Sequence, residues 1–168
     1  RSTTASDHVM YDYLSLEMPG APPPPGPVTV PLVSAGDVWR FNDSGANLGT
    51  AWRSNNFNDA AWSSGPAQLG FGDGDEATAF SRPDPRYATA YFRKSFTVTD
   101  PTQLSALTLQ IEYDDAYAVY LNGTRVAGNL PENPAFNYFS GNAIEDTTET
   151  INNLPVSLLV AGTNVIAV

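Results

Sequence analysis

The chain of 168 residues has no cysteine, one histidine (His8) and one lysine (Lys94). Without cysteine, neither a disulfide framework nor a thiolate zinc site can form. One histidine cannot build a His-based triad or a histidine zinc cage, and His8 reads as a solvated residue of the N-terminal tail. Positive charge is scarce: 8 Lys and Arg face 18 Asp and Glu, giving a formal net charge of −10 and a pI near 4.2. Such a charge opposes a sequence-independent grip on phosphate backbones or anionic membranes, so no nucleic-acid partner is expected. No apolar run approaches the roughly 20 residues that span a bilayer, so no membrane insertion is expected either. The opening RSTTASD is not a basic-then-apolar leader, and an excised piece of a longer protein would show none.

What is present is core material. Apolar residues make up 42% of the chain, with 3 Trp, 8 Tyr and 8 Phe, enough for one well-buried domain and a tail. An acidic, cysteine-free composition rich in Asn, Thr and Gly is common in bacterial extracellular modules, and by that association the chain is expected to be secreted.

Residues 1–18 read as a polar tail followed by VMYDYLSLEM (9–18), which alternates as a strand does. Residues 19–27, PGAPPPPGP, form a proline-rich linker that favours extended polyproline II and cannot enter a sheet interior. The domain proper is expected over 28–168. There VTVPLV (28–33), DVWRF (37–41), YFRKSFTV (91–98), LTLQIEY (107–113), TTETIN (147–152) and NVIAV (164–168) read as strands. In YFRKSFTV, Phe92, Phe96 and Val98 share a side; in LTLQIEY, Leu107, Leu109, Ile111 and Tyr113 face inward. AYAVYLNGTRVAG (116–128) reads as a hairpin, with Asn122-Gly123 supplying the positive-φ pair of a type I′ turn. The stretch 42–86 is read as a long polar connection full of Asn, Asp, Gly and Pro turns. No segment longer than a turn or two has a helical period. The expected fold is therefore an all-β, antiparallel β-sandwich.

Four segments taken in order carry a resemblance. They are Tyr91–Phe96, Leu109–Asp115, Ala118–Gly123 and Gly162–Val168, joined upstream by Trp52, Phe57–Trp62 and Gly65–Gly72. Together they resemble galactose-binding-like jelly-roll domains, such as the sugar-binding domain of β-galactosidase and β-glucuronidase type hydrolases and the accessory modules of large secreted bacterial enzymes. The resemblance spans roughly 36–168 and is more specific for fold than for ligand. It implies a jelly roll and a non-catalytic, carbohydrate-binding role. It also implies a covalently linked catalytic domain, a glycoside hydrolase or polysaccharide lyase. Members continue past the Asn-Val-Ile-Ala-Val strand with at least one more, which leaves room for a sandwich lacking its last strand after Val168. Residues 8–17 resemble the closing strand of a preceding β-domain, as in rhamnogalacturonan-lyase-like polysaccharide lyases.

Candidate sites follow from side-chain chemistry. Asp114-Asp115 is the obvious carboxylate pair, but adjacent residues at a strand end point apart, whereas a glycosidase pair must flank substrate about 5–9 Å apart. The pair is therefore read as structural, and the domain as no enzyme. Asp73, Asp75 and Glu76 offer hard oxygens on a flexible loop, the donor type calcium prefers, and a structural calcium is entertained there. Trp39 and Trp62 are read as core, while Trp52, followed by Arg53 and an Asn-rich run, is the Trp most expected to be exposed as a sugar-stacking ring. Arg53, Arg82, Arg86, Tyr138 and Phe139 complete the expected carbohydrate surface, with bidentate donors and apolar ring faces. Polysaccharide or oligosaccharide is the expected partner. The alternative is a structural spacer or protein-interaction sandwich with no sugar site.

Overall fold

The computed structural model describes residues 26–72, 74–80, 87–141 and 147–168. The chain divides into two units, Arg1–Val30 and Pro31–Val168. The strand expected over 9–18 and the proline-rich run to residue 25 lie outside the described residues. Of the first unit, residues 26–30 have no regular secondary structure, and Val28 and Val30 are largely exposed. The strand expected over 28–33 does not form. Pro31 has no N–H to give a ladder, and the alternate valines have nothing covering them.

The described residues of the second unit form ten strands: β1 (Val38–Asn42), β2 (Ser63–Pro66), β3 (Leu69–Gly70), β4 (Thr78–Ala79), β5 (Tyr91–Val98), β6 (Leu109–Tyr113), β7 (Ala118–Leu121), β8 (Thr124–Gly128), β9 (Thr147–Ile151) and β10 (Gly162–Ala167). Helical structure among the described residues is limited to single 3-10 turns at Ala51–Arg53, Pro101–Gln103 and Val156–Leu158. Six strands form one sheet in the order β2-β1-β5-β10-β7-β8, every neighbouring pair antiparallel. β6 and β9 form a second antiparallel ladder, and β3 and β4 a short parallel one. The all-β sandwich expected from the strand pattern is what forms.

The large sheet is buried on both faces, which explains why β7 is buried at all four positions. On one face Tyr91, Ala118, Tyr120, Val165 and Ala167 pack with Trp52 and Trp62, carried by the irregular segment between β1 and β2. On the other, Val98 and Leu121 pack with Leu104, Leu107 and Leu159, which flank the β6–β9 layer. The Tyr117 hydroxyl donates to Glu149 of β9 at 2.6 Å, tying the two layers together. Phe41 and Phe92, register partners on β1 and β5, continue this second face and meet Phe80 at 6.1 and 5.9 Å between ring centroids.

The polar stretch 42–86 is thus more than a connection. Its 3-10 turn buries Trp52, and Ser63–Pro66 becomes an edge strand despite its Ser, Gly and Pro. Arg93 fastens this cover to the sheet. It is 2% exposed, its Nε donates to Asp59 Oδ2 at 2.8 Å, and Nη1 donates to the carbonyls of Trp52 and Ser54. A buried guanidinium is tolerable only when its donors are satisfied in this way.

The hairpin turns at Asn122 (φ 50°) and Gly123 (φ 88°) as expected. Asn122 Nδ2 also donates to Leu158 O and Asn164 Oδ1, both at 2.7 Å, and its Oδ1 accepts from Val165 N at 2.9 Å. The turn is therefore locked to β10 through a pair of asparagines.

Candidate functional site

The described surface offers one cluster of exposed aromatic side chains on neighbouring loops. After β8 the chain enters the loop 129–141, whose start is clamped from within. Leu130 packs on the tryptophan core, and Arg125 Nη2 donates to the Leu130 carbonyl at 2.6 Å. Thr89 Oγ1 donates to Phe136 O at 2.6 Å, so the segment leading into β5 runs beside the middle of this loop. A turn closed by Tyr138 N donating to Ala135 O at 2.9 Å then presents three aromatics in four residues. Phe136 is 39% exposed, Tyr138 41% and Phe139 63%; Tyr87, two residues before Thr89, is 50% exposed.

Tyr87 is held in place rather than loose. Its ring lies directly over Gly45, where an added Cβ would fall 2.3 Å from ring carbons, and Gly45 has a φ of +69°. Only glycine combines that backbone with that clearance. Polar groups anchor these loops while ring faces remain in solvent, the reverse of the core. Rings that are half-exposed and positioned in advance suit a ligand whose own faces are apolar C–H surfaces.

The expected site residues divide in three ways. Tyr138 and Phe139 are exposed, as a ligand surface requires. Trp52 is not: at 5% exposure it is core, in edge contact with Tyr91 and Tyr120 at 4.9 and 5.6 Å, with Nε1 donating to Gly49 O. The expectation of an exposed Trp52 is corrected for a definite reason. The sequence shows polar neighbours on both sides of Trp52, but a 3-10 turn aims that one side chain at the sheet while its neighbours stay in solvent. Arg53 is half-buried, its guanidinium carbon 4.1 Å from the centroid of the Tyr120 ring, so it stacks inward. Arg82, Arg86 and Asp73 lie outside the described residues.

On the acidic loop, Glu76 Oε2 accepts from Gly74 N at 3.0 Å, and Asp75 is exposed. Among the described residues no three His, Cys, Asp or Glu side chains stand close enough to share a metal ion. Asp114 and Asp115 are both exposed, and their backbone closes a turn: Asp114 O accepts from Ala116 N, and Asp115 adopts a φ of 62°. Trp62 is buried as expected, whereas Trp39 is only half-buried.

Sequence reasoning passed over Tyr87 and Phe136. The Phe-Asn-Tyr-Phe run at 136–139 carried the signal for Phe136. Nothing near Tyr87 announces its pairing with Gly45, 42 positions earlier.

Comparison with known proteins adds the fold's relations. No protein-family model matches the sequence, and no curated protein does. Among solved structures, the chain is similar to a beta-glucuronidase from glycoside hydrolase family 2, with a TM-score of 0.52 and 20% identity over 79% of this chain and 13% of that one. It is also similar to Bacteroides uniformis beta-glucuronidase 2 bound covalently to cyclophellitol-6-carboxylate aziridine, with a TM-score of 0.49 and 16% identity over 79% of this chain and 14% of that one. For Ruminococcus gnavus beta-glucuronidase in complex with D-glucaro 1,5-lactone the values are 0.48 and 13%, over 79% and 20%. The first of these supports the fold, an antiparallel β-sandwich, and the likeness is one of structure only. The chain spans no more than about a fifth of these proteins.

Proposed function

We propose that residues 31–168 are a non-catalytic accessory domain of a larger, secreted bacterial polysaccharide-active enzyme, and that the domain binds carbohydrate weakly through Tyr87, Phe136, Tyr138 and Phe139. The observation that carries this reading is the exposure of four aromatic rings on two loops joined by the Thr89–Phe136 hydrogen bond. Ring contacts are worth about 0.5–1.5 kcal/mol each. Four such contacts give about 2–6 kcal/mol, which corresponds to dissociation constants from about tens of micromolar to tens of millimolar. Affinity of that order positions a linked catalytic domain on a polymer without trapping it. Arg86 directly precedes Tyr87 in sequence and Arg82 stands five positions before it, and both stay among the proposed ligand residues.

The test is affinity electrophoresis through gels carrying a panel of soluble polysaccharides, with reducing-end release measured on the same samples. Retardation by at least one polysaccharide without release of reducing ends is the expected result. Burial of Trp52 favours the second reading, a structural spacer or interaction sandwich, because it removes the only tryptophan expected at the surface. Free migration in every gel would establish that reading in place of the first, and release of reducing ends would make the domain an enzyme.

A further inference from the structure

Away from the aromatic loops, the face of the large sheet near its β2 edge carries a polar cleft of about 270 Å³. Ser64, Arg40 and Arg93 stand side by side on β2, β1 and β5 as register partners, and Val38 and Ser95 follow two residues along on the same face. Asp59 enters from the covering segment. Its carboxylate is fixed by the bond from Arg93 Nε yet remains 25% exposed. Arg40 is fixed through one nitrogen, Nη1, which donates to Trp62 O at 3.1 Å, and is otherwise exposed. Lys94, on the opposite face of β5, is occupied with Asp37 at 3.3 Å and Val38 O at 3.1 Å.

We infer that this cleft is a second saccharide site, taking a single uncharged sugar ring through two neighbouring hydroxyls. Each candidate ligand class meets the same lining. An anion would be drawn by Arg40 but repelled by Asp59 and by the chain's net charge of −10. A cation would find the Asp59 charge already balanced by Arg93 and the Arg40 guanidinium beside it, while the exposed part of the carboxylate can still accept from a neutral hydroxyl. An apolar ligand would strip water from the remaining Arg40 donors, from the exposed part of the Asp59 carboxylate and from two serines. A vicinal diol satisfies the lining: one hydroxyl donates to Asp59, its neighbour accepts from Arg40, and Ser64 and Ser95 can donate or accept. Val38, 55% exposed, supplies the apolar wall for the C–H face of the ring. Size narrows the choice further, because small-molecule sites generally run about 300–1,000 Å³. A cleft just below that range holds one ring rather than a chain. The site shares no residue with the aromatic loops, so either can fail without the other.

The test is a titration of the whole chain with neutral aldohexoses and, separately, with a hexuronate, read by backbone-amide chemical shifts. The expected result is saturable shifts at Val38–Arg40, Ser64 and Ser95 with about millimolar dissociation constants for at least one neutral sugar, and weaker binding of the hexuronate. Arg40→Gln and Ser95→Val each weaken this binding about tenfold or more. Asp59 is left untouched because it anchors Arg93. Shifts confined to the Tyr138–Phe139 loop, binding unaffected by both cleft variants, or tighter binding of the hexuronate would each overturn the inference.

Discussion

At the scale of single residues, the same side-chain chemistry serves opposite purposes according to depth. Trp52 and Phe139 both read as sugar-stacking rings in sequence, yet one holds the core and the other stands in solvent. Trp52→Ala is expected to cost about 3–5 kcal/mol of stability, the range for emptying a large aromatic from a core. Its equilibrium unfolding midpoint should fall accordingly, and whatever folded fraction remains should keep wild-type saccharide affinity. Arg93 is the opposite case, a charge where an apolar residue would be anticipated. Arg93→Ala strands the Asp59 carboxylate and two carbonyls that the guanidinium now serves. Breaking a buried pair from one side costs about 3–5 kcal/mol. Urea unfolding of Arg93→Ala beside Asp59→Asn checks this, since the account places the larger loss at Arg93.

At the scale of elements, legibility followed alternation. β5 is bounded in the sequence as in the structure because Phe92, Phe96 and Val98 recur at period two and Asp100-Pro101 ends the run. β6 was legible for the same reason, β10 through its apolar run Val165–Val168 and the β7–β8 hairpin through Asn122-Gly123, whereas the threonine-rich β9 gave only a weak signal. β2 was not legible, because Ser63–Pro66 has no apolar row of its own. It is a strand only because β1 offers it a partner along Val38–Phe41. Tertiary pairing also decides the fate of 28–33, where a good β pattern finds no ladder. The hairpin's asparagine yields a separable prediction. Asn122→Gly keeps the left-handed turn but removes the bonds to Leu158, Asn164 and Val165. At about 1 kcal/mol net for each hydrogen bond, with more for partners left buried, a loss of about 2–3 kcal/mol is expected. Thermal denaturation that leaves the variant within a few tenths of wild type would show that the turn alone matters there.

At the scale of the whole molecule, ionisable groups bound the pH range of stability. Asp37 is held below the ordinary carboxylate value of 3.8 by the backbone bond from Ser34 and then by Lys94, and Asp100 by its bonds from Thr102. A lowered folded-state value means that these contributions are complete above pH 3.8 and disappear as pH falls through the lower folded values. Burial, then the bond to Glu149, pushes Tyr117 above its ordinary value of 10.0. For a raised group the sign reverses: its contribution is complete below pH 10 and shrinks as pH rises beyond it. Melting temperature against pH should therefore decline on both flanks, with Tyr117→Phe flattening the alkaline one. A variant whose alkaline limb matched wild type would remove Tyr117 from that role.

The two-layer sandwich was visible in strand spacing, and of its exposed rings Tyr138 and Phe139 were as well, whereas Tyr87 and Phe136 were not. Which rings reach solvent depends on contacts such as Thr89 with Phe136 and Tyr87 with Gly45, and these join residues 47 and 42 positions apart. The central claim is that this aromatic surface holds saccharide while the sandwich beneath serves as its support. Binding isotherms of wild type and the double variant Tyr138→Ala/Phe139→Ala, against the most strongly retarding polysaccharide, test it most directly. The account predicts that the variant melts at the wild-type temperature and loses about tenfold or more in affinity. An unchanged isotherm from a fully folded variant would contradict it.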